Sequence, residues 1–315
     1  VEDVTVDPQL ARVLSKMPIL DVGDIAAIRA LNTATPMPVH PADRDVRTSE
    51  RTVPGPEGAP EVGMRVYRPG EDLVNRPAVV YFHPGLTFGT LEMDHARCMR
   101  FASGAGCVVA SVDYRLAPEH PYPAGVEDCY AALCWVAANA KELGADPGRI
   151  AVAGCSTGAT LAAAVALMAR DRGGPELAFQ LLIQPAVDDR LDTPSMAEFA
   201  EPGPCEAGRA GSAHTWRYYL AGAEAGPYAA PARAGSLRGL PPAYVSTAER
   251  DCLRDEGIAY ALRLMREGVP VELHHFPGTF HAFDLVVRTA AISQRAVEEQ
   301  IAVLARALAP RRSGR

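Results

Sequence analysis

The sequence predicts an α/β protein built on a mostly parallel sheet, and two patterns carry that prediction. Short β-branched runs recur at residues 78–82, 107–112, 150–153, 179–183, 243–246 and 271–276. They are apolar without strict alternation, as suits strands covered on both faces. Between them lie segments of helical length. Residues 124–143 form a continuous helix former, residues 254–267 place Ile258, Leu262 and Leu264 on one side, and Val297, Ile301, Leu304 and Leu308 recur at helical spacing. Strand and helix thus alternate through most of the chain.

The third run ends in Gly154-Cys155-Ser156-Thr157-Gly158 and opens directly into the small-residue helix former that begins at Ala159. A serine at the tip of a tight strand-to-helix turn has its hydroxyl exposed, and glycines two positions either side let strand and helix approach without a Cβ clash. Ser156 is therefore the candidate nucleophile. Its neighbour Cys155 is assigned to packing, because the turn that exposes one side chain directs the next elsewhere.

Composition narrows the function. A chain of 315 residues with 48% hydrophobic content can bury a large core and carry an appended cap. Its net charge is −7, and its one basic cluster, Arg311, Arg312 and Arg315, lies in a polar tail, which argues against nucleic acid as a partner. No segment has the length of a spanning helix and no basic-then-apolar leader opens the sequence, so no membrane role is expected. The seven cysteines, Cys98, Cys107, Cys129, Cys134, Cys155, Cys205 and Cys252, lack metal-like spacing and read as thiols of a cytoplasmic protein.

Two regions break the rhythm. Residues 1–45 carry an amphipathic pattern, Leu10, Val13, Leu14 and Met17, then Ile25, Ile28 and Leu31, followed by a Pro-rich connection. Residues 188–225 are far longer than an ordinary crossover loop. Together they are expected to form a cap over a catalytic domain of residues 46–187 and 226–315.

A serine hydroxyl at neutral pH needs a base within hydrogen-bond reach and a carboxylate to fix that base's tautomer. After an elbow of this kind the order along the chain is serine, acid, histidine. The fifth run leads into Asp251-Cys-Leu-Arg-Asp255-Glu256, and the sixth into Phe276-Pro-Gly-Thr-Phe-His281. Asp251 lies nearest the strand end and is the preferred acid, whereas Asp255 and Glu256 suit the first turn of a helix, where negative charge is favourable. Pro277-Gly278 is expected to turn the chain and deliver His281 to a loop. His274 and His275 fall within a strand, one facing the core and one the opposite face. His120 belongs to a Pro-rich turn, and His40, His95 and His214 have no partner pattern.

The elbow, the segment from Asp113 to Pro123, the Asp-Cys-Leu-Arg-Asp-Glu-Gly turn and the Pro-Gly-x-x-His loop together resemble the bacterial hormone-sensitive-lipase-like esterases, over about residues 50–285. The resemblance implies an α/β-hydrolase fold with an eight-stranded sheet and a helical cap. It also implies Ser156 as nucleophile, His281 as general base and acid, Asp251 as orienting carboxylate, and hydrolysis of small-molecule esters with small to medium acyl groups. No metal or organic cofactor is implied. A homodimer through the last strand and its flanking helix is a further expectation.

The first loop departs from the family pattern. Where relatives read His-Gly-Gly-Gly, this chain reads His83-Pro84-Gly85-Leu86. Aligned without a gap, the loop keeps the N–H groups of Gly85 and Leu86 as oxyanion donors, with the N–H of Thr157 as the third. Aligned on the following Gly-Thr, it has lost one glycine, and one donor position is empty. The second alignment is preferred, and losing one donor costs about 3 kcal/mol, on the order of a hundred- to thousand-fold in rate. The elbow departs too, with Cys155 and Thr157 where relatives carry Asp and Ala. A remodelled loop leaves open a dehydratase or cyclase on the same site, or a ligand-binding protein on the same fold. Ala117-Pro118 and Tyr122-Pro123 are candidate cis bonds.

Overall fold

Alternate residues of the apolar runs part to opposite faces of one sheet, as the period of two in a strand requires. Ala78, Val80, Phe82, Ile150 and Val152 pack on one face, and Val79, Tyr81, Ala151 and Ala153 on the other. This computed structural model describes residues 6–17, 19, 21–32, 40, 43–70, 74–203 and 207–310. Cys205 and the C-terminal arginine cluster lie outside the described residues.

The strands are β1 (Val46–Val53), β2 (Val62–Pro69), β3 (Arg76–Phe82), β4 (Val108–Asp113), β5 (Ala145–Cys155), β6 (Phe179–Ile183), β7 (Ala243–Arg250) and β8 (Val271–Phe280). They form one sheet in the order β1-β2-β4-β3-β5-β6-β7-β8. β1 and β2 pair antiparallel, as do β2 and β4, while every other pairing is parallel. The fold class read from the sequence is the one observed. β1 and β2 escaped the reading of buried runs because β1 is an edge strand whose interior residues are polar and mostly exposed.

The helices are α1 (Pro8–Leu14), α2 (Ile25–Asn32), α3 (His95–Ala105), α4 (Ala124–Ala138), α5 (Thr157–Asp171), α6 (Pro194–Glu198), α7 (Gly208–Leu220), α8 (Arg254–Arg266), α9 (Phe283–Val286) and α10 (Ala291–Ala307). Helices α4, α5 and α8 cover one face, contributing Val126, Leu133, Leu161, Val165, Tyr260 and Leu264 to its core. Helices α3 and α10 cover the other with Cys98, Phe101, Ile301 and Leu304.

Three expectations are corrected in detail. The helix expected over 124–143 ends at Ala138, where Asn139 turns its backbone N–H and side-chain amide onto the carbonyl of Trp135, and β5 begins at Ala145. In α8 the buried side is Gly257, Tyr260, Ala261 and Leu264, whereas Leu262 is 40% exposed, since residues two apart on a helix face apart. Pro277-Gly278 lies inside β8, which continues to Phe280.

Beneath the sheet's carboxyl edge, on the α3–α10 side, lies a buried polar network. Arg97 Nε donates to Asp94 at 3.0 Å, and its Nη1 donates to Asp284 at 2.9 Å and to Gln300 at 3.0 Å. Tyr81 donates to Asp94 at 2.6 Å, and Gln300 to Asp284 at 2.9 Å. One guanidinium thus ties β3, α3, α9 and α10. The cation beside Asp284 holds that carboxyl below its ordinary range against the opposing effect of burial. On the other side of the sheet Glu256 is 3% exposed, and its Oε1 accepts from the N–H groups of Val187 (2.7 Å) and Asp188 (3.2 Å), fixing the chain as it leaves β6. Its environment raises its pKa well above the carboxylate range, chiefly through burial.

Two predictions follow from these buried charges. Arg97→Met leaves two carboxylates without their cation and is expected to cost about 3–5 kcal/mol of unfolding free energy, read by urea denaturation; a loss under 1 kcal/mol would contradict the network's role. Glu256 binds its proton more tightly folded than unfolded, so its contribution is full below about pH 4.3 and falls as pH rises toward the folded pKa. The Tm of wild type is therefore expected to fall relative to that of Glu256→Gln as pH is raised above about 4.3. Parallel Tm profiles for the two proteins would refute this.

Candidate active site

The turn between β5 and α5 is possible only because two residues lack a Cβ. A Cβ on Gly154 would lie 2.2 Å from the carbonyl oxygen of Gly158, and one on Gly158 would lie 2.1 Å from that of Phe82 in β3. Pressed this closely, the chain holds Ser156 at φ 56° and ψ −124°, a region that non-glycine residues seldom occupy and that costs on the order of 1–3 kcal/mol. The Ser156 N–H donates to Ile183 in the neighbouring strand at 2.8 Å, pinning the turn to the sheet. Cys155 points the other way into the α3–α10 core, fully buried, with its thiol pKa pushed up chiefly by burial. That is the packing position expected for it.

The other two chemical groups are aligned by strand register. β7 and β8 pair in parallel, and after a register shift Arg250 stands opposite Phe280. The first residues beyond the two strands are Asp251 and His281. His281 Nδ1 lies 2.8 Å from Asp251 Oδ2, and His281 Nε2 lies 2.9 Å from Ser156 Oγ. A carboxylate only accepts hydrogen bonds, so Nδ1 carries the proton and Nε2 presents a lone pair to the serine. Asp251 is 1% exposed, and its Oδ1 accepts from the N–H of Leu253 at 2.9 Å. Behind His281, the N–H of Ala282 donates to Gln184 at 2.5 Å, and Asp284 is held by Arg97. The histidine therefore sits on a braced segment.

The neighbouring candidates lie elsewhere. Asp255 accepts from the Ser195 N–H at 2.7 Å and so ties α8 to α6. Glu256 lies in the first turn of α8 as expected, but buried, where it also braces the chain after β6. His274 and His275 part to opposite faces as expected: half-buried His274 lies on the α3–α10 side, its ring 5.3 Å from that of Tyr244 and between Glu272 and Glu299, and exposed His275 lies on the other, with Nδ1 3.0 Å from Thr247 Oγ1. Both bonds named as cis candidates, Ala117-Pro118 and Tyr122-Pro123, are cis.

After β3, His83 is fully buried and stacked on Tyr114 at 4.3 Å, with its Nδ1 3.0 Å from the Pro84 carbonyl and its pKa lowered by burial. This fixes the start of the loop. The N–H of Gly85 then donates to Thr157 Oγ1 at 2.8 Å and the N–H of Leu86 to the same oxygen at 3.2 Å. Leu86 O accepts from Ala117 at 3.0 Å, and Arg29 of α2 donates to Thr87 O at 2.9 Å, which anchors the far side of the loop.

Ser156, Thr157, Asp251 and His281 open onto a cavity of about 220 Å³. Its walls are apolar: Met17 and Val22 come from the N-terminal region, Phe88 from the loop after β3, Trp216 from α7, and Leu253 and Leu285 from beside the acid and the histidine. The N-terminal region and α7 also touch each other, Tyr218 donating to Gly23 O at 3.2 Å. No cluster of three or more His, Cys, Asp or Glu suited to a metal occurs among the described residues.

Comparison with known proteins agrees with this geometry. A family model for the alpha/beta hydrolase fold matches residues 79–285. Esterase LipI of Mycobacterium tuberculosis is 42% identical over 90% of this chain and 89% of its own. Carboxylesterase NlhH of the same organism is 42% identical over 96% of each chain. Among solved structures, a bacterial heroin esterase superposes with a TM-score of 0.92 at 43% identity, covering 97% of this chain and 99% of that one. With a strand-to-helix elbow, a serine–histidine–aspartate line and relatives of this likeness, the chain belongs to the alpha/beta hydrolase family, in its hormone-sensitive-lipase-like branch.

Proposed function

We propose that the protein is a serine carboxylesterase acting on small-molecule esters with small to medium acyl groups. The observation that carries this reading is the unbroken line from Ser156 Oγ to His281 (2.9 Å) to Asp251 (2.8 Å) at the floor of an apolar cavity. Ser156 Oγ attacks the ester carbonyl while His281 Nε2 takes its proton, and Asp251 stabilises the imidazolium so formed. His281 returns the proton to the departing alcohol, leaving the acyl group on Ser156. Water then attacks the acyl-enzyme with His281 again as base, releasing the acid and restoring the serine. The strained backbone at Ser156 keeps Oγ aimed at the cavity, so little reorganisation accompanies attack.

The cavity volume supports the acyl range. A cavity of about 220 Å³ lined by Phe88, Trp216 and Leu285 suits an acyl chain of a few carbons. Residues 1–45 and 188–225 act in this reading as a cap, since Met17, Val22 and Trp216 close the cavity from above the strand ends. β8 stands at the edge of the sheet and offers its free side to a second copy, which is the homodimer we propose. The six described cysteines are free thiols, which suits the cytoplasm, and no helix among the described residues is long and apolar enough to cross a membrane.

Steady-state hydrolysis of p-nitrophenyl acetate, butyrate and octanoate tests the proposal. Butyrate is expected to outperform octanoate in kcat/KM. Ser156→Ala should abolish turnover, and Asp251→Asn should lower kcat by on the order of 10⁴, because the amide favours the wrong imidazole tautomer. Turnover that survives in Ser156→Ala, or a preference for octanoate, would contradict the reading.

A further inference from the structure

Two backbone N–H groups that meet at one point beside a nucleophile mark where a negatively charged oxygen would be held. Here that point is already filled by Thr157 Oγ1, 2.8 Å from Gly85 N and 3.2 Å from Leu86 N, close to the spacing an oxyanion requires. Thr157 directly follows Ser156, lines the same cavity and begins α5, so its own N–H is a helix-terminal donor without an intrahelical acceptor.

We infer that Thr157 is a specificity- and rate-determining residue whose hydroxyl occupies the oxyanion hole of the free enzyme as an internal stand-in and must swing out before an ester carbonyl can enter. This rests on the serine esterase reading and deepens it. The chemistry favours exchange over a fixed role. A hydroxyl oxygen has two lone pairs, and the N–H groups of Gly85 and Leu86 use both. At rest the contact satisfies two amides that would otherwise lie unpaired against an apolar cavity, and so holds the loop in shape. When Ser156 Oγ bonds to the carbonyl carbon, the C=O π pair moves onto oxygen and the serine proton moves to His281. The resulting anion draws the same N–H groups about twice as strongly as a neutral hydroxyl does. Threonine has the freedom to yield, since two χ1 wells are open to it in a helix. The methyl-bearing side chain must still find room beside the entering acyl group, so the toll is heaviest for acyl groups branched at the α-carbon.

The test compares wild type, Thr157→Ala and Thr157→Ser, using p-nitrophenyl butyrate, p-nitrophenyl isobutyrate and an alkyl trifluoromethyl ketone that adds reversibly to Ser156 as a hemiketal anion. Thr157→Ala is expected to raise kcat/KM on butyrate roughly tenfold, to raise it further on isobutyrate, and to tighten Ki for the ketone by a similar factor, because two hydrogen bonds no longer compete. Thr157→Ser keeps the hydroxyl and should stay near wild type on butyrate. A merely structural role for the threonine would leave the ketone's Ki unchanged, and that result would overturn the inference. So would a loss of activity and of ketone affinity in Thr157→Ala with retention in Thr157→Ser, which would make the hydroxyl itself an oxyanion donor. If wild type and both variants alike show no serine-dependent turnover, the esterase reading falls, and this inference with it.

Discussion

Everything at this site hangs on the approach of α5 to β3 and β5 across Gly154 and Gly158. With no Cβ at either position, backbone meets backbone at distances where a side-chain carbon would overlap a carbonyl oxygen. Ser156 is thereby held in a strained conformation that no local preference would select. The strain is sustained by the surrounding core: α5 is buried along almost its whole length, and every strand beneath it is paired on both edges. The proposed nucleophile, placed by the packing of the whole domain, needs little rearrangement to react.

The proposed base and acid, His281 and Asp251, are placed by a different device. Strand register brings Arg250 opposite Phe280, and the first residue past each strand end puts Asp251 and His281 within a hydrogen bond. Two buried braces keep that alignment. Arg97 fastens Asp284, three residues beyond His281, and Glu256 fastens the chain leaving β6, the strand between those that lead to Ser156 and Asp251. These groups touch no reacting atom. Their effect is to tie down the segments that follow β6 and β8.

Much of this was legible in the residues. Six of the eight strands show as apolar runs, and the elbow shows because Gly-x-Ser-x-Gly sits between a β-branched run and a run of small helix formers. Asp251 and His281 stand out by chain order and by their place just after strands. What stayed hidden depends on the third dimension. β1 looks like surface because as an edge strand it is mostly surface. His274 and His275 show as a pair on opposite faces of a strand, but nothing in the run reveals that β8 ends the sheet. Glu256 reads as a helix-start charge, which it is, but its burial against the chain after β6 shows only in the fold. At the first loop the two alignments assign different donors, and the side chain that meets Gly85 and Leu86 belongs to Thr157, 72 and 71 residues away, which no local pattern connects to them.

The central claim is that Ser156 is an activated nucleophile. Intact-mass and peptide-mass measurement after brief exposure to a fluorophosphonate probe tests it most directly. The account predicts one adduct per chain, located on Ser156 and formed at least a thousandfold more slowly in His281→Ala, since removing a triad member costs at least that much in rate. No adduct, an adduct on another residue, or labelling that is indifferent to His281 would contradict it.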